Sequence, residues 1–545
     1  METLKGDSWR AHMRARHPEA DGYVERDGVR VFYEVFGTGE RTILLLPTWS
    51  VLHAAHGRFQ IADLARHYRV VTFDGRGNGR SDRPKGAAAY DDREFVADAL
   101  SVLDATGTER AVVIACSSAT HWLLRLAAEH PERVAAAVAS GTNLPLAPGH
   151  PRPADMVPFH EPYRSTDGWA KFNAGYWRDH YEDFLRFFFS QVWPEPHSRG
   201  VIDDCVTWGL ETTPEILIDT VDAPGMTEAE AIGLARQVRC PVLVIHGGND
   251  TITPPERSVR LARETNASLV ILEGAGHCSG IRDPVRFDLL VRDFVESLVP
   301  RRPNVTEWTR AQSRAKRVLF VPSRGSLPRA RRDIAIADAL RALRPGIGIE
   351  WLVSGPVQQL LEDHGEAIHP ASDELARGAM HPGQPEGEHE LQPFDAWRRI
   401  DEAHFLDFMV FNDLAAREPV DLVIADGAWQ IDHYLHENPE LKRFAYAWLS
   451  DTVGWLPAPE GGEREAMLTA DANAEMVEHV ERYSRVRDRA IFLGDPADLP
   501  AGTFGPGLPP IREWTCKHFT FSGPIASQGT SDAIRDVAST LAALT

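Results

Sequence analysis

Five short apolar runs recur along the first half of the chain: 42–46 (TILLL), 70–73 (VVTF), 111–115 (AVVIA), 242–245 (VLVI) and 268–272 (SLVIL). They are rich in Val, Ile and Leu, with little polar alternation. Strands buried on both faces of a parallel sheet carry this pattern, because helices cover both sides. Segments of helical spacing, such as 92–105 and 121–130, lie between them. Alternation of this kind implies a doubly wound α/β sheet. Ahead of the first run, the stretch from Tyr23 (YVERDGVRVFYEVFG) alternates apolar and polar residues around Asp27-Gly28, a hairpin signature.

At 545 residues the chain exceeds what one core can hold, and the alternation breaks twice. Residues 142–237 read as helical and aromatic-rich, with Trp169, Phe172, Trp177, Phe184, Trp193 and Trp208 among them. This predicts a helical cap inserted into the sheet domain. Most of these aromatics are expected to form the cap's own core. A few, with Trp169 and Trp177 as candidates, would face an apolar substrate pocket. The second break, 299–316, is rich in Pro and charge and reads as a linker. Beyond it, β/α alternation resumes with strands at 317–321, 349–353, 420–426 and 490–494 and helices at 332–343, 357–364 and 401–414. The expected organisation is an arm (1–23), a first α/β domain (24–298), the linker, and a second, Rossmann-like domain (317–545).

A net charge of −21 argues against gripping nucleic acid or an anionic membrane, both of which need clustered Lys and Arg. Five cysteines without a CxxC pair give no disulfide framework and no structural zinc site. No metal or cofactor is expected. The charged opening residues lack a secretory apolar segment, and no run of about 18 apolar residues occurs, so a cytoplasmic enzyme is the expectation. Oligomeric state is not legible.

The chemistry-bearing residues sit at strand ends. Run 111–115 passes straight into Cys116-Ser117-Ser118-Ala119 and a helix. A serine on so sharp a strand-to-helix turn is a nucleophile elbow. Its flanks must be small. Ala115 and Ala119 stand where glycine is usual, keeping the size but giving up freedom of φ. Asp250 (IHGGNDTITPP) follows the run at 242–245, and His277 (EGAGHCSGIRDP) follows that at 268–272. The order Ser, Asp, His suits this elbow, and ligands bind at the carboxyl ends of parallel strands. His277 would take the Ser117 proton while Asp250 fixes the imidazole tautomer. A preserved constellation in a non-catalytic scaffold is the competing reading. Cys116 and Ser118 should point into packing. His121 reads as helix surface or core. His53 and His56 would touch substrate or lie in a solvated loop.

On these residues, with 74–84 (DGRGNGRSDRP) similar to a D-x-R-G-x-G-x-S turn and HPERV at 130–134, residues 24–298 resemble the α/β-hydrolase superfamily, in its esterase-like branch. The resemblance implies an α/β-hydrolase fold with a helical cap and cleavage of a small, partly apolar ester, thioester or lactone. It also implies an oxyanion hole from the backbone amides of Trp49 and Ser118, about 3 kcal/mol per donor. Trp49 and His53 join Trp169 and Trp177 as pocket candidates. Pro47-Thr48 replaces the family's His-Gly in that loop. A serine here excludes epoxide-hydrolase or dehalogenase chemistry, which needs a carboxylate nucleophile. Acyl transfer or cyclisation at the same site stays open.

Residues 317–525 resemble the N-terminal half of a GT-B glycosyltransferase, through RVLFVPSRGSLPRARRDIAIADALRAL, VDLVIADGAW and RAIFLGDP. The family's G-x-G-H loop reads Ser326-Leu327-Pro328-Arg329, and 519–529 (FTFSGPIASQG) looks like a crossing into a further domain. This implies an alternative: a sugar transferase or sugar-binding protein with a degenerate hydrolase domain. A third reading is an interaction protein built from two decayed folds. Arg324 and Arg329, with Arg331 and Arg332, form either an anion site at a helix start or a solvated basic surface. Asp426, His433 and Asp451 are acceptor-site candidates.

Overall fold

The structure is a computed structural model that describes residues 13–151, 156–299, 314–323, 326–376, 391–525 and 532–545. The described residues divide into two compact units, one spanning 16–299 and the other made of 13–15 and 314–545.

The first unit holds eight strands: β1 (Ala20–Arg26), β2 (Val29–Phe36), β3 (Thr42–Leu45), β4 (Arg69–Phe73), β5 (Ala111–Cys116), β6 (Val134–Ser140), β7 (Val242–Gly247) and β8 (Ser268–Leu272). They form one sheet in the order β1-β2-β4-β3-β5-β6-β7-β8, in which β2 alone runs antiparallel. The expected hairpin is present, with Arg26 opposite Val29 and positive φ at Asp27 (51°) and Gly28 (78°). Two left-handed residues are what a two-residue turn needs to match strand twist. The first strand starts at Ala20, three residues before the expected end of the arm.

Successive residues of the central strands feed two cores, as a doubly covered sheet requires. Val71, Val113, Ala137 and Val244 pack with Val96, Ala99 and Val102 of the helix Asp92–Ala105 and with Trp122 and Leu126 of the helix Ala119–Glu129. Val70, Val112, Val138 and Ile245 pack with Phe287, Val291 and Val295 of the helix Pro284–Ser297. The cap lies between β6 and β7. Its helices are Ala174–Asp179, Tyr181–Val192, Arg199–Gly209, Pro214–Asp222 and Glu228–Ala235. Its core is aromatic, built on Trp177, Phe184, Phe189, Trp193 and Trp208.

The second unit contains β9 (Arg317–Val321), β10 (Gly348–Trp351), β11 (Ala367–Ile368), β12 (Gln392–Pro393), β13 (Leu422–Asp426), β14 (Ala445–Ser450), β15 (Trp455–Leu456), β16 (Arg489–Phe492) and β17 (Thr520–Phe521). Seven form a parallel sheet ordered β11-β10-β9-β13-β14-β16-β17, while β12 and β15 pair separately. The strand order reverses between β9 and β13, a topological switch point. The segment expected to cross into a further domain does otherwise in its described part. Thr520–Phe521 is the seventh strand of this sheet. After it, the helix Asp532–Ala542 buries Ile534, Val537, Ala538 and Leu541 in the same core as Val318 and Ile336. Four apolar residues at helical spacing explain why it folds back. Residues 300–313 of the expected linker lie outside the described residues. No helix among the described residues is long and apolar enough to cross a membrane.

Candidate active site

Ser117 sits between β5 and the helix Ala119–Glu129 with φ of +56°. A non-glycine residue there is strained and persists only when its surroundings hold it. The strain falls on the serine alone: Ala115 ends inside the strand region and Ala119 opens the helix, neither at positive φ. Both are fully buried. The alanines therefore meet the elbow's need for small neighbours without needing glycine's φ, and the forfeited backbone freedom is not used.

Ser117, His277 and Asp250 form one hydrogen-bonded chain. Ser117 Oγ lies 2.7 Å from His277 Nε2, and His277 Nδ1 lies 2.6 Å from Asp250 Oδ2. Asp250 Oδ1 accepts the amides of Ile252 (2.8 Å) and Thr253 (2.9 Å). Oδ2 also accepts from Thr253 Oγ1 (3.0 Å) and faces His246 Nε2 at 3.2 Å. His246 Nε2 also meets Thr253 O at 3.1 Å, and two acceptors facing it place the ring proton there. Burial pushes the Asp250 carboxyl up, but His277 and His246 outweigh it and hold the group well below the usual carboxylate range. Burial would depress the His277 imidazole, but the Asp250 charge outweighs this and raises it.

The loop after β3 is pinned to the elbow. Thr48 Oγ1 donates to Cys116 O at 3.0 Å, and Ser50 Oγ donates to Arg76 O at 2.9 Å. Among the described residues, neither the Trp49 amide nor the Ser118 amide donates to a protein acceptor. Both residues, with Ser117, line a cavity of about 400 Å³.

Of the expected pocket residues, Trp49 and Trp169 line this cavity. Trp49 is held by a 2.7 Å bond from Nε1 to Thr220 Oγ1 and by an edge contact to Phe188. Trp177 does not line it. It is fully buried in the cap core against Phe159, Phe172 and Phe184. His53 does not line it either, nor is it solvated. Its Nδ1 accepts the Ala55 amide, and its ring packs on Trp208. His56 is half-buried, its Nδ1 2.9 Å from His53 O. Cys116 lies off the cavity with its sulfur 3.3 Å from that of Cys278. Ser118, expected to point into packing, lines the cavity instead.

Sequence reasoning missed the cavity's polar side. His121 is 3.3 Å from Asp92 and 3.0 Å from Asn143 O, and Arg257 stands beside Asn143. Arg257 is on the helix Pro255–Thr265, just past the Asp250 loop. Its spacing from Asp250 is the one available sequence signal, and it is weak.

Close packing fixes the His277 loop. Gly141, after β6, has φ of +53°, and a Cβ there would lie 2.5 Å from His277 O. Gly141→Ala is expected to cost about 1–3 kcal/mol. It should also lower kcat by about 10²-fold, the scale of a 1 Å misplacement. Thermal unfolding and substrate turnover on the same sample check both.

In the second unit the arginines do not behave as expected. Arg324 lies outside the described residues. Arg329 is engaged by Asp451 through both Nε (2.7 Å) and Nη2 (2.6 Å). Arg332 is buried, with Nη2 2.7 Å from Asp426 and Nη1 3.2 Å from Asp451. For Arg329 and Arg332, two aspartates at strand ends neutralise the pair, so neither stands as an open anion site or a solvated surface charge. Of the described arginines here, Arg331 is the exposed one. Burial, then Asp426, pushes the neighbouring Asp333 carboxyl well above its usual range. His433 is not part of these pairs and lies 3.7 Å from Glu437.

Residues 43–284 match the family of the alpha/beta hydrolase fold. A 2-hydroxymuconate semialdehyde hydrolase of Pseudomonas sp. (strain CF600) is 30% identical over 294 residues, covering 51% of this chain and 94% of that protein. The chain belongs to the alpha/beta hydrolase family. A non-heme haloperoxidase of Rhodococcus erythropolis is 28% identical to this family member over 280 residues, 50% of this chain and 97% of that protein. A pimeloyl-[acyl-carrier protein] methyl ester esterase of Neisseria meningitidis is 28% identical over 180 residues, 32% of this chain and 65% of that protein.

Proposed function

We propose that the first unit is a serine hydrolase that cleaves a small ester, thioester or lactone through an acyl-enzyme. The observation carrying this reading is the unbroken chain Ser117–His277–Asp250, with the serine facing a cavity. Ser117 Oγ attacks the substrate carbonyl and passes its proton to His277 Nε2. The amides of Trp49 and Ser118 receive the oxyanion. His277 then protonates the leaving alcohol or thiol as the tetrahedral intermediate collapses. Water, deprotonated by His277, attacks the acyl group and frees the acid. Acyl transfer uses the same acyl-enzyme with another acceptor.

A fluorophosphonate probe located by mass spectrometry tests the reading. The expected adduct is on Ser117, absent from Ser117→Ala. A folded protein without that adduct overturns the reading. The pH dependence follows from the Asp250 charge. His277 works as a base only when neutral, and its pKa is raised, so kcat/KM on an uncharged ester should rise with pH. The midpoint should lie above the ordinary imidazole value of about 6.5. A limb centred below 6 would remove His277 from this role.

We read the second unit as resembling the N-terminal half of a GT-B glycosyltransferase, supported by its parallel order reversing between β9 and β13. Its own ion pairs occupy the residues that would have gripped a phosphate, so glycosyl transfer is not part of the proposal.

A further inference from the structure

Most buried arginines of the first unit rest on carboxylates. Arg58 pairs with Asp204, Arg76 with Asp98, Arg125 with Glu230 and Arg292 with Asp63. Charges taken out of water need such partners. Arg257, half-buried in the cavity wall, is different. Its Nε donates to Ala147 O (3.2 Å), and its Nη1 donates to Asn143 O (3.2 Å) and Oδ1 (3.0 Å). All three acceptors are uncharged. Among the described residues, Nη2 has no hydrogen-bond acceptor, and no carboxylate lies within ion-pair distance of the guanidinium.

The surroundings hold Arg257 in place and leave that edge open. Three bonds fix the plane of the fork, so Nη2 is preorganised. Beside it is Gly149, also in the cavity wall. A Cβ there would come within 3.4 Å of Nη2. Among the described residues the wall's one carboxylate, Asp92, is engaged by His121 and by Trp122 Nε1 (3.0 Å). Trp49, Trp169 and Phe188 make an apolar side to the cavity that Ser117 also lines. A guanidinium cannot shed its charge at neutral pH, so it favours an anionic ligand group.

We propose that the substrate of Ser117 carries a carboxylate that pairs with Arg257: a half-ester, half-thioester or lactone-acid with an apolar spacer between carbonyl and carboxylate. The proposal rests on the serine-hydrolase reading. Arg257 grips the substrate in both ground and transition states, so it acts mainly on kcat/KM and KM.

Two matched ester pairs test it. In the first, 4-nitrophenyl valerate is compared with mono-4-nitrophenyl glutarate, placing the carboxylate on the acyl side. In the second, butyrate esters of 4-hydroxybenzamide and 4-hydroxybenzoate place it on the leaving group. In at least one pair the anionic ester is expected to lead in kcat/KM by about 10- to 100-fold, the worth of a charge-assisted hydrogen bond. Arg257→Met should erase that ratio, with KM for the anionic ester rising. Arg257→Lys keeps the charge without the planar fork and should retain part of it. Equal rates within both pairs, or a ratio that survives Arg257→Met, overturns the proposal. Fluorophosphonate labelling of the same preparations separates the causes. Labelled Ser117 without anionic preference removes the role of Arg257 alone, and absent labelling removes the serine-hydrolase reading with it.

Discussion

Ser117→Ala is expected to lower ester hydrolysis by about 10⁴- to 10⁶-fold, measured as kcat on a 4-nitrophenyl ester. The serine oxygen is the only atom of the hydrogen-bonded chain that faces the cavity as a nucleophile, so its partners have nothing left to activate. In enzymes where serine, histidine and acid act as one unit, losing the serine costs about as much as losing all three. A residue of ~10³-fold over water remains from binding and oxyanion donors. The companion change Ser117→Gly separates chemistry from folding. It should abolish turnover equally, while relief of the left-handed conformation at φ +56° raises stability by about 1 kcal/mol. Unchanged hydrolysis in either variant would place the chemistry elsewhere.

Arg332→Met is expected to destabilise the second unit by about 3–5 kcal/mol, the cost of breaking a buried ion pair from one side. Asp426 and Asp451 are buried, and each loses a donor, at 2.7 and 3.2 Å. Asp451 keeps Arg329, so Asp426 is the residue left exposed to the full penalty. Asp333 beside it is a carboxyl that burial and Asp426 push well above its usual range, so it brings no cation to replace the lost guanidinium. Urea unfolding, followed through the tryptophans of the full chain, reads the loss as a shift of one transition. A shift under ~1 kcal/mol would mean that the pair is open to water.

The sheet of the first unit was legible because a strand buried on both faces leaves an unbroken apolar run, as at 111–115 and 242–245. The partners of Ser117 were legible because they follow such runs. Side-chain direction was not. Trp177 and Trp169 sit on the same aromatic stretch, yet one is cap core and the other cavity wall, and composition does not encode which way a cap helix turns. Arg329 and Arg332 read as a surface cluster because their neutralising aspartates lie about 100 residues away, at strand ends. The last strand was hidden for another reason: Thr520–Phe521 is two residues long and gives no period to detect.

Asp451 can be regarded as a ligand tethered by its own chain to the switch point of the second sheet. An intramolecular partner acts at an effective concentration on the order of millimolar or more, and this one reaches two guanidinium groups at once. A free phosphate or carboxylate at micromolar concentration competes poorly against it. Both guanidinium groups are thus already occupied by a carboxylate of the same chain.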